Sequence, residues 1–321
     1  MGTDVVCRPV ERPGFSGALV FRIETAAGPF CLRGWPQALR DPKRILALHE
    51  FLAYVRSQGI DYVAVPVPSD GESTLVNVLG QFWQVEPWLP GRADFWNRPS
   101  DVRLAAALTA LARFHQAAHG FRPAGGESSH LWPAAPAVAP TVLDRIARFE
   151  SWTAVRLARL RERLRRCDPD DPALATSAER VLAAFDRLAA RMHGELRSVC
   201  QMHVPLQPCL RDVWHDHLLF QGDAVTGLID PSAARTDTVA ADISRLAGSL
   251  IADDRRAWGV ALDAYQSVRP LSAAELALCD VLDRSGVLLS GMTWLGRRYL
   301  NGIRLSEAAL QRLGRIADRL P

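Results

Sequence analysis

The sequence predicts an α+β fold, with a small antiparallel sheet at its N-terminal end and a larger, mainly helical remainder. Strand-type runs dominate roughly the first 90 of the 321 residues, whereas apolar residues at helical spacing dominate the rest. A single island of strand signal, at residues 205–235, interrupts the helical part. These patterns predict two lobes, one spanning residues 1–90 and the other spanning residues 91–321.

The N-terminal part predicts the element order strand, strand, helix, strand, strand. The runs ALVFRIET and PFCLR, within residues 18–33, flank the turn sequence AAGP and predict a hairpin. Asp41 and Pro42 predict the cap and the first position of a helix that ends near Gly59. The runs TLVNVLG and QFWQVEPW predict a second antiparallel pair, which stops at the turn sequence LPG.

The remainder predicts helices on both sides of the strand island. Apolar residues recur at helical spacing over residues 102–119, and the Pro-, Ala-, Gly- and Ser-rich residues 121–141 predict a loop. Residues 142–198 predict two Arg-rich amphipathic helices, divided at Asp168-Pro169, whose charged faces are solvated. After the island, further helices are predicted over four segments: residues 239–252, 254–267, 272–300 and 305–319.

The composition argues against several function classes. Thirty-eight basic and 35 acidic residues leave a net charge of +3, and no Lys/Arg cluster is interleaved with aromatics, so we expect no nucleic-acid partner. No apolar run approaches the ~20 residues of a membrane span, and the N-terminus shows no apolar leader. Six cysteines without a CxxC pair suit a reducing compartment, so a cytoplasmic location is expected. The oligomeric state is not indicated.

Three residues of the strand island have the order that phosphoryl transfer from a metal-bound nucleotide requires. That chemistry needs a carboxylate beside the attacking hydroxyl, a metal ligand a few residues later, and a second carboxylate on the same metal. Asp212, His217 and Asp230 follow one another in this way, with a predicted hairpin between the last two. Strand ends fix the direction of such side chains while the loops leave them reachable.

At these residues the chain resembles the aminoglycoside phosphotransferase and choline kinase family, whose bilobal fold is shared with protein kinases. The family segment HxDxxxxN, followed by a hairpin and IDF, is matched here by LRDVWHDH and LLFQGDAVTGLIDPS. The resemblance implies that Asp212 is the catalytic base and that Asp230 is a metal ligand. It also implies that His217 stands where the family has its metal-binding Asn.

The resemblance extends to the N-terminal part and implies nucleotide-binding residues there. The pattern VEPWLPG is similar to the family's hinge, which would place backbone groups of Glu86 and Trp88 on the adenine edge. The helix with HEFL is similar to the lobe-linking helix, with Glu50 as the ion-pair acid. The short segment GFSG, which contains Ser16, stands in the place of the glycine-rich loop. In the helical part, the segment AADISRL implies that Asp242 braces the catalytic loop.

Four residues depart from the family pattern. Arg33 in FCLRGW stands where the family has its phosphate-binding Lys, and its planar guanidinium can grip phosphate with two donors. His217 replaces an oxygen ligand with an imidazole, which leaves Mn²⁺ possible beside Mg²⁺. Leu210 replaces the His that opens the motif, and Pro231 replaces the Phe after the metal Asp.

We therefore expect a kinase that transfers the terminal phosphoryl group of ATP or GTP to a hydroxyl of a small molecule. Arg33, positioned by Glu50, would neutralise the phosphates. One alternative is a pseudokinase, which binds nucleotide or a partner without turnover. The other is a metalloenzyme, because HxH spacing points two imidazoles to one side of a strand. Its ligands would be His215, His217 and Asp212, with His203 or Cys209.

Overall fold

The computed structural model describes residues 6–10, 17–166 and 172–321. Its N-terminal sheet is antiparallel throughout and has the strand order β1-β2-β3-β5-β4. The five strands are β1 (Val6–Pro9), β2 (Leu19–Thr25), β3 (Gly28–Gly34), β4 (Val76–Val78) and β5 (Gln81–Pro87). The predicted hairpins are therefore β2–β3 and β4–β5. The sequence analysis missed β1, a four-residue edge strand of exposed residues that shows no alternation.

Helix α1 (Pro42–Ser57) lies between the two hairpins, as predicted. The Asp41 carboxylate accepts hydrogen bonds from the amides of Lys43 and Arg44, and Pro42 occupies the first helical position, where no amide is needed. One face of α1 buries aromatic and aliphatic side chains, and Phe51 is fully buried against Phe114 and Phe121. Apolar burial on this face, rather than helix propensity, holds α1 in place.

The rest of the described chain is mainly helical, with three short strand pairings. Its helices are α2 (Asp101–His119), α3 (Pro140–Glu150), α4 (Ala154–Arg166), α5 (Pro172–Val199), α6 (Val239–Ile251), α7 (Arg255–Gln266), α8 (Ala273–Leu295) and α9 (Glu307–Asp318). Its strands are β6 (Ala134–Ala137), β7 (Val204–Cys209), β8 (Leu218–Gln221), β9 (Ala224–Leu228) and β10 (Arg235–Asp237). Strands β8 and β9 form the predicted hairpin, and the others pair in the order β10-β7-β6. The α+β fold class is therefore confirmed.

The prediction of two helices over residues 142–198 is wrong, because the structure has three. The extra break separates α3 from α4 at residues 151–153. Ser151 closes α3 with its hydroxyl on the carbonyl of Arg148, Trp152 is buried, and the Thr153 hydroxyl accepts from the amide of Arg156. Side-chain capping of this kind ends one helix and starts the next without Gly or Pro. The predicted Asp168-Pro169 break lies outside the described residues.

The chain forms two compact units. The first contains residues 1–134, 207–236 and 256–270, and the second contains residues 135–206, 237–255 and 271–321. The described candidate site residues belong to the first unit, except His203 and Asp242, which belong to the second. The division into lobes at residue 90 stays a prediction. Of the described helices, none is both long and apolar enough to cross a bilayer.

Candidate active site

The hairpin β8–β9 is anchored so that its two ends lie together. The amide of Leu228 donates to the carbonyl of Tyr62 at 2.7 Å, and the amide of Ile229 donates to the carbonyl of His217 at 2.9 Å. The second bond joins the residue just before Asp230 to the end of the loop that contains Asp212. This pairing explains how residues far apart in sequence become parts of one site.

The turn after β5 is fastened to the same hairpin. The amide and carbonyl of Arg92 each bond to Phe220, at 3.1 and 2.9 Å, and the Thr226 hydroxyl donates to the carbonyl of Pro90 at 2.6 Å. Gly91 has φ +107°, and a Cβ there would lie 2.8 Å from the carbonyl oxygen of Phe220. Glycine is therefore required at this position by both its backbone conformation and the close approach of the hairpin.

Arg33 and Asp230 form a direct ion pair within this site. The Arg33 guanidinium, on β3, is 7% exposed and donates to Asp230 Oδ1, which also accepts from the Ser232 hydroxyl at 2.8 Å. Burial alone would raise the pKa of Asp230, but the charge of Arg33, the interaction with His217 and these hydrogen bonds lower it below its ordinary value. The carboxylate is therefore ionised, and it pairs with Arg33, the residue at the position of the family's Lys.

The expectation that Glu50 pairs with Arg33 is not met in this structure. Glu50 Oε1 accepts from the backbone amide of Ala124 at 2.8 Å, on the loop that follows α2. The helix residue that faces the sheet is His49, one position earlier and 4% exposed. One position rotates a side chain by about 100° around a helix, which is enough to turn it from the sheet to the loop.

Glu86 and Gln84 are on β5 and lie beside Arg33 of the neighbouring strand β3. In the β3–β5 register, Gln84 is directly opposite Arg33 and Glu86 is opposite Cys31, so all four side chains share one face of the sheet. Gln84 Nε2 donates to Glu86 Oε2 at 2.7 Å. Burial raises the pKa of Glu86, whereas the charge of Arg33 and the Gln84 hydrogen bond oppose that rise. Sequence analysis missed Gln84, although polar residues at alternate positions of a predicted strand marked its face.

The two predicted hinge residues, Glu86 and Trp88, make different contacts. The Glu86 side chain is buried in the site, as described above. The backbone amide of Trp88 donates to the carbonyl of Pro29 at 3.1 Å, and its indole ring lies 5.1 Å from the Arg22 guanidinium carbon. The adenine contacts expected of these backbone groups stay a prediction. Ser16 lies outside the described residues.

His217 is held in one tautomer by two neighbours. The indole Nε1–H of Trp214 donates to His217 Nε2 at 2.8 Å, and the other ring nitrogen, Nδ1, lies 2.7 Å from the carbonyl oxygen of Asp212. Because an indole N–H only donates, His217 Nε2 must accept. Nδ1 therefore carries the hydrogen and donates it in a hydrogen bond to the backbone carbonyl of Asp212. The imidazole is therefore neutral, and it braces the loop of Asp212, whose own side chain is exposed.

The donor set fits a divalent metal only in part. Asp230 Oδ2 lies 3.9 Å from His217 Nε2, a separation that two ligands of one ion with bonds of about 2.1 Å can span. Asp230 fits as an oxygen ligand, since Arg33 and Ser232 bond to its other oxygen. His217 does not fit in this conformation, because its Nε2 lone pair accepts the Trp214 hydrogen bond.

The geometric basis of the metalloenzyme alternative is wrong. His215 and His217 lie in a single 3₁₀ turn rather than on a strand. The His215 ring packs against Trp96 and Trp214, with ring centroids 3.6 and 4.4 Å away. Over residues 6–10, 17–166 and 172–321, no group of three metal-ligating side chains converges on these two imidazoles.

The chain begins with a five-stranded antiparallel sheet and one helix. It continues as a mainly helical chain in which Asp212 precedes a hairpin and Asp230 follows it. This is the fold of the protein-kinase-like class of phosphotransferases. The family model APH, described as the phosphotransferase enzyme family, matches residues 11–278. The chain belongs to that family. The resemblance to aminoglycoside phosphotransferases and choline kinases is thereby confirmed.

Individual relatives agree with this membership. A homoserine kinase of Agrobacterium fabrum is 37% identical over 122 residues, which cover 36% of this chain and 35% of that enzyme. The chain therefore matches only about a third of the length of that relative. Solved structures also share the fold, for example the following two. Amicoumacin kinase, in complex with AMP-PNP, Ca²⁺ and Ami, has a TM-score of 0.63 at 17% identity, covering 98% of this chain and 89% of that one. A choline/ethanolamine kinase family protein of Mesorhizobium loti has a TM-score of 0.59 at 14% identity, covering 97% and 87%.

Proposed function

We propose that this protein is a kinase that moves the terminal phosphoryl group of ATP, or of GTP, to a hydroxyl of a small molecule. The observation that carries the proposal is the ion pair between Arg33 and Asp230, adjoining the loop of Asp212. A buried guanidinium beside a carboxylate at the end of a hairpin suits the binding of charged phosphates. Membership of the phosphotransferase enzyme family supports the same chemistry.

Asp212 is the proposed catalytic base. Its carboxylate is exposed at a loop fixed by His217, so an acceptor hydroxyl can reach it. The hydroxyl oxygen forms a bond to the terminal phosphorus while the bond from that phosphorus to the nucleoside diphosphate oxygen breaks. Asp212 orients the hydroxyl and accepts its proton.

Arg33 is the proposed phosphate-binding residue, and Asp230 is the residue that would hold a divalent metal, Mg²⁺ or Mn²⁺. A bound metal would neutralise phosphate charge. Arg33 can donate to phosphate oxygens in the same way that it donates to Asp230, because both acceptors are anionic oxygens. His217 orients the loop of Asp212 rather than serving as a ligand.

The acceptor is proposed to be a small hydroxyl compound, and homoserine is the first one to test. Two curated relatives, 37% and 30% identical to this chain over 122 and 129 residues, are named homoserine kinases, which supports that choice. Amino alcohols and aminoglycosides form the rest of the panel. A cytoplasmic location and the absence of a nucleic-acid partner are part of the same proposal.

The test measures nucleoside diphosphate release with ATP or GTP, Mg²⁺ or Mn²⁺, and the acceptor panel. Asp212→Asn should lower kcat by about 10²- to 10⁴-fold, the usual contribution of a general base. Asp223→Asn is the matched control, since it makes the same change at the turn of the hairpin that follows Asp212 and should leave kcat within about twofold. Equal rates in wild type and Asp212→Asn would remove Asp212 from the mechanism.

A pseudokinase is the second candidate, because one specific contact favours it. The Trp214 hydrogen bond engages the imidazole lone pair that the family motif would give to a metal. Thermal-shift titration separates the candidates: ATP-dependent stabilisation without product on any acceptor supports the pseudokinase. Product formation that depends on Asp212 supports the kinase.

A further inference from the structure

The buried face of β3 and β5 contains a second anion beside Arg33. Cross-strand pairing puts Arg33 opposite Gln84 and makes Glu86 its diagonal neighbour on the same face, within reach of long side chains. Arg33 and Glu86 are 7% and 9% exposed, so water screens their charges little. Burial lowers the pKa of Arg33, whereas the charges of Asp230 and Glu86 raise it. Burial and the charge of Asp230 raise the pKa of Glu86, and the charge of Arg33 opposes that rise.

A directed chain of hydrogen bonds ends on this carboxylate. Gln84 Oε1 lies 2.7 Å from the indole Nε1 of Trp35 and 2.9 Å from His49 Nε2. An amide oxygen only accepts, so His49 Nε2 carries a proton, and the lowered pKa of His49, caused by burial, keeps the ring neutral. Its Nδ1 then accepts from the Thr74 hydroxyl at 2.7 Å.

The same directionality fixes the other end of Gln84. With Oε1 holding two donors, Nε2 faces Glu86 and donates to Oε2 at 2.7 Å. Each step from Thr74 through His49 and Gln84 therefore donates toward Glu86, which favours the ionised carboxylate. The chain also connects α1, through His49, to the strand that neighbours Arg33.

We propose that Glu86 on β5, and not Glu50 on α1, is the positioning residue that holds Arg33 for the nucleotide phosphates. This inference rests on the proposed function, and it assigns to a sheet residue the role that the resemblance implied for a helix residue. Glu86 acts through Arg33: its charge and the chain behind it hold the guanidinium when phosphates compete with Asp230 for that cation. Glu50 anchors α1 to the loop at Ala124 instead.

The experiment is a double-mutant cycle on the Kd of AMP-PNP, measured by calorimetry with Mg²⁺ or Mn²⁺ well below the Tm of each variant. Glu86→Gln and Arg33→Gln should each raise Kd by about 10- to 100-fold, the range expected for one charge-assisted contact. The double variant should bind no more weakly than Arg33→Gln alone, since Glu86 acts through Arg33. Glu50→Gln is the matched control and should stay within about twofold.

The outcomes distinguish failure of the proposed function from failure of this inference. Wild-type protein that binds no AMP-PNP overturns the proposed function and this inference together. If wild-type protein binds AMP-PNP but Glu86→Gln leaves the Kd unchanged, only the inference is overturned. The same holds if the fold-changes in Kd of the two single variants multiply in the double variant. Should Glu86→Gln fail to fold, Glu86→Asp keeps the charge, and its Kd must lie between that of wild type and that of Arg33→Gln.

Discussion

The indole Nε1–H of Trp214 donates to His217 Nε2 at 2.8 Å, so the lone pair of the imidazole nitrogen that lies 3.9 Å from Asp230 Oδ2 is already bonded. Trp214→Phe removes the donor and frees that lone pair. We predict that this variant binds Mn²⁺ about tenfold more tightly, because the ion no longer competes with an indole hydrogen bond. Calorimetric titration of nucleotide-free protein with MnCl₂ measures the change.

The matched control for this prediction is Trp96→Phe. It makes the same chemical change beside His215, whose ring centroid lies 3.6 Å from that of Trp96, and it leaves His217 untouched. Mn²⁺ affinity in Trp96→Phe should equal that of wild type. Equal affinity in Trp214→Phe as well would mean that His217 is no latent ligand and serves only to brace the loop of Asp212.

Arg103 is a buried cation that holds the segment before α2 against the hairpin β8–β9. It is 1% exposed, pairs with Asp94, donates to the carbonyl of Arg98 at 2.9 Å, and lies 4.2 Å from the Phe220 ring. Arg103→Met keeps much of the volume but leaves these acceptors without a donor. We predict a loss of about 3–5 kcal/mol in the free energy of unfolding.

The test compares the free energies of unfolding of Arg103→Met and Arg161→Met by urea denaturation. Arg161 pairs with Asp186 on the surface, where both side chains are at least 40% exposed, so its loss should cost only about 0–1 kcal/mol. Similar midpoints for the two variants would show that Arg103 contributes no more than an ordinary surface ion pair.

The elements that sequence predicted well are those with regular periodicity. Helix α2 (Asp101–His119) matches its prediction closely because its apolar residues keep helical spacing, and the hairpin β8–β9 matches because two short apolar runs flank a turn sequence. The break at residues 151–153 was missed because a buried Trp and two hydroxyl caps, rather than Gly or Pro, form it. Local signals of that kind occur throughout helices and do not mark a boundary alone.

Some residues of the candidate site could be predicted from local sequence patterns, and others depend on long-range contacts. Asp212 and Asp230 were found from spacing along the chain. The partner of Arg33 depends on the β3–β5 register and on a hairpin 197 residues away, which no local pattern contains. One error was avoidable: His49 stands four positions after Ile45 on the apolar stripe of α1, so helical phase already favoured His49 over Glu50 as the residue facing the sheet.

His130 is a half-buried imidazole whose protonation opposes folding. Burial lowers its pKa from 6.5 to about 4, and the positive charge of Arg44 adds to that effect. Between pH 6.5 and about 4 the unfolded chain binds the proton more readily than the folded chain, so stability falls as the pH falls through this window. His130→Gln should therefore flatten the dependence of Tm on pH between 4 and 6.5. His119→Gln is the control and should keep the wild-type slope; an unchanged slope in His130→Gln would contradict the prediction.

Gly248, in α6, leaves room for an ion pair of the second unit. Arg319 Nη1 donates to the carbonyl of Gly248 at 3.0 Å, and Nη2 donates to Asp283 Oδ2 at 2.6 Å. A Cβ at position 248 would collide with Asp283 Oδ1 and would lie 3.2 Å from Arg319 Nη1. Gly248→Ala must therefore displace the carboxylate from its guanidinium.

We predict that Gly248→Ala lowers the free energy of unfolding by about 1–3 kcal/mol, the usual cost of overpacking, despite the better helix propensity of Ala. The matched control is Gly314→Ala in α9 of the same unit, where a Cβ would meet nothing within 4 Å. That variant should gain about 0.5–1 kcal/mol, because Ala loses less backbone entropy than Gly in a helix. Opposite signs in thermal or urea unfolding would show that the Asp283–Arg319 pair, and not helix propensity, sets the residue at position 248. A gain in both variants would mean that Asp283 moves aside without cost, so that its pairing with Arg319 adds nothing to the stability of this unit.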